Sequence, residues 1–185
     1  MGKKLENLSK KKKSIYVSMD ILLPDSFHKT VKDANILLDT GFFIDAYSNL
    51  NKFGAFISKL KSEHNAILLT VPAVRFEFLN GSPTNTHFED KVQFISQTVD
   101  AILPVGPEQF VLVEQLVKRR GKEGKPADLT DYLLGANLMF FKDNLLLFTK
   151  NTNHFPQNIF KLKSYFVISR IQSLQIYGVY SYEEK

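Results

Sequence analysis

Hydrophobic positions along this chain switch repeatedly between short β-like runs and longer stretches with helical spacing, the pattern of an α/β domain with a mostly parallel sheet. Ala34-Asn35-Ile36-Leu37-Leu38-Asp39 is a short aliphatic run that ends on a carboxylate and reads as a buried first strand. Phe42, Phe43, Ala46, Leu50, Phe53, Phe56, Ile57 and Leu60 then recur at helical spacing, which predicts one helix over residues 41–60. Residues 66–70 form the next strand. Pro72 is placed to open a helix carrying Val74, Phe76, Glu77 and Leu79, and Gly81 to close it.

Further along, residues 88–99 and 107–120 read as helices, with a short strand or extended piece at 101–105 between them and a loop at 121–126. Asp128 caps a helix running to about Lys142, Asn144 closes it, and residues 145–149 form a third strand. The runs at 165–168 and 174–180 read as edge strands or a hairpin. There is no internal repeat.

With 185 residues, 44% of them hydrophobic, the chain suits one globular domain and short appendages, which removes a multi-domain enzyme from consideration. It contains no cysteine, so disulfides, thiolate zinc sites, iron–sulfur clusters and a cysteine nucleophile are excluded, and a reducing cytoplasm is the expected compartment. No run approaches the roughly 18 apolar residues of a membrane helix. Asp20 interrupts the apolar run 14–23 too early for a signal peptide, and Glu6 stands where a myristoylation signal needs Ser or Thr, so no membrane attachment is expected.

The formal charge of +5 is carried entirely by residues 1–13, where Lys3, Lys4, Lys10, Lys11, Lys12 and Lys13 oppose only Glu6. The chain therefore divides into a basic N-terminal arm, residues 1–30, expected to be partly disordered, and a domain over 31–185. Such a lysine run is either a solvated tail or a non-specific attractor of RNA, DNA or anionic lipid, and it names no substrate.

Ligands of open α/β sheets bind outside the carboxyl ends of the strands, so polar residues there carry the functional weight. Asp39 ends the first strand, where it either caps the next helix or joins a site. Glu77 lies on the short helix that follows the second strand, where it could equally be a surface side chain. Asp131 is one turn into a helix whose other face, Leu134, Ala136, Leu138 and Phe141, is apolar, and Asp128 before it could simply be the cap. Thr149, Asn151 and His154 follow the third strand. Upstream of Asp128, Lys118, Arg119, Arg120, Lys122 and Lys125 form a basic cluster that suits phosphate contacts or, equally, a helix end complemented by its cations.

In order and spacing these segments resemble the PIN-domain nucleases, most of all the toxin ribonucleases of type II toxin–antitoxin pairs. The hydrophobic–Asp–Thr segment is matched by Ile36-Leu37-Leu38-Asp39-Thr40, and the Pro…Glu-aliphatic…Gly segment by Pro72 through Glu77 to Gly81. The Asp-x-x-Ile/Leu-x-Ala helix is matched by Asp131-Tyr132-Leu133-Leu134-Gly135-Ala136, and the Thr-Arg-Asn turn by Thr149-Lys150-Asn151 with His154-Phe155 after it. The resemblance covers about residues 34–160. Two departures stand out: Gly41 replaces a small polar residue, and Asn151 with His154 stand where many members have an aspartate.

The resemblance implies a three-layer α/β/α PIN-like domain with a central, mostly parallel sheet, acting as a metal-dependent endoribonuclease, either the toxin of a toxin–antitoxin pair or a stand-alone RNA-processing nuclease. It implies Asp39, Glu77 and Asp131 as metal ligands, Asp128 as an auxiliary ligand or base, and Thr149, Asn151, Lys118, Arg119 and Arg120 as contacts to water or phosphate. Convergent carboxylates repel by a few kcal/mol per pair at about 4–6 Å unless a cation offsets them, and all-oxygen ligation suits Mg²⁺ or Mn²⁺. Of the four histidines, His28, His64 and His87 show no zinc-like spacing. RNA, an antitoxin protein and a second copy of the chain are the partners implied. No Walker loop, Gly-x-Gly-x-x-Gly turn or nucleophile elbow occurs, and Gly41 stands where a haloacid-dehalogenase-type phosphatase needs its second aspartate. The rival reading is a non-catalytic PIN-like module that binds RNA or a protein.

Overall fold

The computed structural model describes residues 19–121, 127–170 and 173–184. The lysine run at 3–13 and the basic loop positions Lys122 and Lys125 lie outside the described residues.

Four short parallel strands make the centre of the molecule: β2 (Asn35–Leu38), β3 (Ile67–Thr70), β4 (Ala101–Ile102) and β5 (Leu146–Thr149). Ile36, Leu37 and Leu38 of β2 are all fully buried, as are Leu147, Phe148 and Thr149 of β5. Because successive strand residues point to opposite faces, both faces of the sheet must be covered, which makes the three α/β/α layers. The covering helices are α2 (Thr40–Ser48), α3 (Leu50–Ser62), α4 (Pro72–Asn80), α5 (Asn85–Thr98), α6 (Pro107–Gly121) and α7 (Leu129–Phe141), preceded by α1 (Asp25–Val31).

Among the described residues the sheet has seven strands, in the order β1 (Met19–Leu22), β6 (Lys161–Arg170), β7 (Ser173–Ser181), β5, β2, β3 and β4. From β2 the chain moves outward through β3 to β4 and then returns to place β5 on the other side of β2. The direction of winding therefore reverses between β2 and β5, and the crevice at their carboxyl ends is where this architecture places a ligand. Beyond β5 the sheet continues antiparallel through β7, β6 and β1.

Several expectations change. The folded domain starts before residue 31: β1 pairs with β6, and Phe27 of α1 is fully buried among Phe56, Phe148 and Phe166. These two elements, four and seven residues long, are too short to give a periodic signal, and they are held by pairing with the hairpin and by the aromatic core. The C-terminal runs do form a hairpin, but it is not at the sheet edge, since β7 pairs with β5 and the edge falls to β1. The single helix expected over 41–60 is two, broken at Asn49. Ser48 Oγ donates to the Ile44 carbonyl at 2.8 Å and Asn49 Nδ2 to the Asp45 carbonyl at 2.9 Å, so local side chains compete with the helical ladder there. No helix among the described residues is long and apolar enough to cross a membrane.

Candidate active site

Asp39 leaves β2 at the switch point and occupies the N-cap position of α2, yet its carboxylate makes no capping bond to that helix's first turn. Instead Oδ2 accepts a 2.6 Å hydrogen bond from the hydroxyl of Thr149, the last residue of β5. The side chain is 3% exposed, and burial raises its pKa above the ordinary carboxylate value; the Thr149 and Thr40 donors pull it down, while the charges of Glu77 and Asp128 push it up.

Glu77 arrives from α4, which Pro72 opens two residues after the end of β3. Oε2 accepts from Thr40 Oγ1 at 2.5 Å and Oε1 from Thr130 Oγ1, so two hydroxyls from separate helices clamp it. Asp128 caps α7 by accepting the Asp131 N–H at 2.8 Å. The capping reading of Asp128 is therefore correct, and the cap also lines the cleft. Asp131, 4% exposed, pairs through Oδ2 with His154 Nδ1 from the turn after β5. Its carboxyl is pushed up to about 6, first by burial and then by the Asp128 charge, against the pull of His154.

Asp39, Glu77, Asp128 and Asp131 all line one cleft of about 250 Å³, together with Thr40, Gly41, Ile44, Thr130, Lys150 and Asn151. Three stretches far apart in sequence thus bring acidic side chains to one place. Larger hollows elsewhere on the surface, such as the 580 Å³ groove beside Phe76 and Phe88, contain none of these residues.

The other expected contacts divide. Asn151 lines the cleft, and its N–H donates to Thr149 Oγ1 at 3.0 Å. Thr149 is fully buried and its hydroxyl is engaged by Asp39 and Asn151, so it lies behind the carboxylate rather than on the cleft surface. Lys118 and Arg119 are exposed at the end of α6 and do not line the cleft. Arg120 is buried: its guanidinium stacks over the Tyr132 ring, 5.7 Å from the centroid, and Nη1 donates to the His154 carbonyl at 2.8 Å. It braces the turn that carries His154.

Sequence reasoning missed Thr40 and Thr130, the lysine at position 150, and its partners Asp45 and Tyr177. Thr40 and the lysine sit inside the recognised segments, next to Asp39 and between Thr149 and Asn151, and Thr130 lies immediately before the Asp131 segment, so position in or beside the motif was the available signal. Tyr177 had none, being 132 residues from Asp45.

Among the described residues no three histidine or acidic side chains stand in the geometry of a formed metal site. The donor chemistry nonetheless fits a hard divalent cation. The cleft lining is carboxylate-rich, two of the carboxylates are held above their ordinary pKa by burial and by the charges of neighbouring carboxylates, and Lys150, the one lysine lining the cleft among the described residues, is paired with Asp45 outside the lining. An added cation would relieve that repulsion.

The raised Asp131 value has a testable sign. A folded-state carboxyl above its unfolded value of 3.8 gives stability that is complete below about pH 4 and lost as pH rises through about 6. In metal-free buffer the wild type is therefore expected to lose melting temperature relative to Asp131→Asn across that window, by about 1–3 kcal/mol in stability. Paired thermal melts at steps between those pH values measure it, and a difference that stays constant with pH would refute the assignment.

Comparison with solved structures finds the same fold in a chain of VapBC2 from Rickettsia felis, a complex bound to a DNA fragment from their promoter. The TM-score is 0.53 at 15% identity, over 64% of this chain and 89% of that one. A chain of VapBC-1 from nontypeable Haemophilus influenzae matches with a TM-score of 0.53 at 18% identity, over 65% of this chain and 89% of that one. No family model matches the chain, and no curated protein matches it in sequence. The likeness is one of fold, and the fold is the PIN-like one that the sequence motifs resemble.

Proposed function

We propose that this protein is a divalent-metal-dependent endoribonuclease whose reaction takes place in the cleft of Asp39, Glu77, Asp128 and Asp131. The observation that carries the reading is the gathering of these four acids from three distant segments at the switch point of the sheet. Asp39 and Asp131 would hold the cation, with Glu77 and Asp128 completing its surroundings directly or through water. The bound cation would supply Lewis-acid polarisation of a phosphodiester and a more acidic bound water. The chain's own residues do the rest. Thr149 fixes the Asp39 carboxylate, His154 fixes Asp131, Thr40 and Thr130 fix Glu77, and Asn151 offers an amide at the cleft wall.

The fold likeness to VapBC complexes favours a toxin-like role. In that reading a small partner chain covers the acidic cleft, the domain pairs with a second copy, and the protein acts in the cytoplasm on RNA. The N-terminal lysines and exposed Lys118 and Arg119 would add sequence-independent attraction for the RNA backbone.

The second reading, a PIN-like module that binds without cutting, is favoured by one feature: both Glu77 oxygens are already taken by threonine hydroxyls. Thermal melts with EDTA, Mg²⁺ and Mn²⁺ separate the two. A cation bound only by the folded state raises the midpoint, by about 2.7 kcal/mol of stability at a hundredfold excess over Kd, or roughly 5–10 °C for a chain of this size. The nuclease reading expects such a rise together with cleavage of mixed cellular RNA. No rise and no cleavage would leave the binding module.

A further inference from the structure

At the rim of the acidic cleft stands a cation whose placement the fold has arranged. Lys150 follows Thr149 at the end of β5 and, among the described residues, is the one basic side chain that lines the cleft. Its ammonium is 3.0 Å from Asp45 Oδ2 on α2, a carboxylate that is 7% exposed and is not part of the cleft lining. The same Oδ2 accepts from the hydroxyl of fully buried Tyr177, on β7, at 2.6 Å, and that hydroxyl also lies 2.9 Å from the Gly41 carbonyl. Lys150, Asp45 and Tyr177 thus join β5, α2 and β7 around one charge.

Gly41 makes room for this arrangement. A Cβ built there would stand 2.8 Å from Lys150 Cε, closer than real Cβ atoms come, and a tight 3.3 Å from Cδ and Cγ, so the lysine stem would have to shift. The lysine stem lies directly on the glycine, two residues after Asp39. An ion pair whose only task was to tie β5 to α2 would not require its lysine among the residues that line the cleft. Here the side chain keeps 30% exposure. An ammonium has three donors, and among the described residues one is bonded, to Asp45.

We propose that Lys150 binds a non-bridging oxygen of the substrate's backbone phosphate in the acidic cleft, and that Asp45 and Tyr177 are its positioning residues. The inference rests on the nuclease reading for its substrate, and it addresses that reading's electrostatic difficulty. Phosphates are repelled by a carboxylate cleft, and a cation fixed at its edge offsets the repulsion at the point of entry. Because Asp45 holds the ammonium at 3.0 Å, the cation adds direction without collapsing onto Asp39 or Asp131. The contact carries no sequence information and predicts none.

The test measures binding and cleavage separately. Anisotropy of a fluorescent single-stranded RNA in EDTA gives Kd at several salt concentrations, and the same RNA with Mn²⁺ gives kcat and KM. Lys150→Met is expected to weaken binding roughly tenfold, the worth of one charge-assisted hydrogen bond. It should also reduce the slope of log K against log salt by about 0.7, with KM raised more than kcat is lowered. Lys150→Arg should restore the slope. If Lys150→Met does not fold, Lys150→Gln, which keeps a donor for Asp45, carries the comparison. Wild-type binding and an unchanged salt slope in the neutral variant, with RNA still cut, would overturn the inference and leave the nuclease reading standing. Weakened binding by the variant of a protein that cuts no RNA would support the inference and remove the nuclease. No RNA binding by the wild type would overturn both.

Discussion

Asp39→Asn is expected to remove RNA cleavage, by a factor on the order of 10³, while raising the metal-free melting temperature at neutral pH. The two effects share one cause. The carboxylate is buried at the end of β2, where burial and the charges of Glu77 and Asp128 hold its pKa above the ordinary value. Its negative charge therefore costs folding stability near pH 7, and an amide of the same shape, still able to accept from Thr149, relieves the cost. The sign follows from linkage: with the folded pKa raised, the wild type is penalised only above about pH 4, so the gain should fade in acid. Adding Mn²⁺ should reverse the order, because the wild type gains a ligand that the variant has lost. Melts with EDTA and with Mn²⁺ at neutral and acid pH, beside an RNA cleavage assay, measure each part. Retained cleavage in the variant would show that the reaction belongs to other residues.

Phe148→Ala is expected to be the most damaging single change to the fold, at about 3–5 kcal/mol. Phe148 is fully buried in β5, with its ring 5.2 Å from Phe166, 5.8 Å from Phe27 and 6.4 Å from Phe42. Removing it opens a cavity between elements from both ends of the chain, and the rigid strands around it cannot close over the space. The loss is a large share of the roughly 5–15 kcal/mol that holds a typical domain folded. Urea unfolding measures it, and a cost below about 1 kcal/mol would mean that the site repacks freely. Because Thr149 is the next residue and holds Asp39, the metal-induced rise in melting temperature should shrink in the same variant.

Much of the parallel centre was legible because its signals are local. The runs around Leu37, Leu68 and Leu147 are aliphatic and short, Pro72 and Gly81 bracket a helix, and Asp128 caps one; each needs only neighbouring residues to act. The break at Asn49 was hidden because the apolar spacing runs on across it while the competing bonds are made by Ser48 and Asn49 side chains. β1 and α1 were hidden for another reason. They are short and weakly patterned, and their stability comes from β6 and from the rings around Phe27.

The acidic site divides the same way. Asp39, Glu77, Asp128 and Asp131 could be singled out from the sequence, since Asp39 ends an aliphatic strand, Glu77 lies on the short helix after the next strand, and Asp128 and Asp131 open a late helix. The sequence by itself determined the alternation of strands and helices and the identity of those acids, because periodicity, caps and turn residues act over a few positions. Only the tertiary structure decided that the acids share one cleft, that Thr149 and Arg120 serve behind it rather than in it, and that Lys150 is held beside it by Asp45 and Tyr177. Those contacts join residues 34 to 132 positions apart, such as Arg120 with His154 and Asp45 with Tyr177. A chain acquires such contacts only when the packing of its whole core has brought the elements together, and no local pattern encodes that meeting.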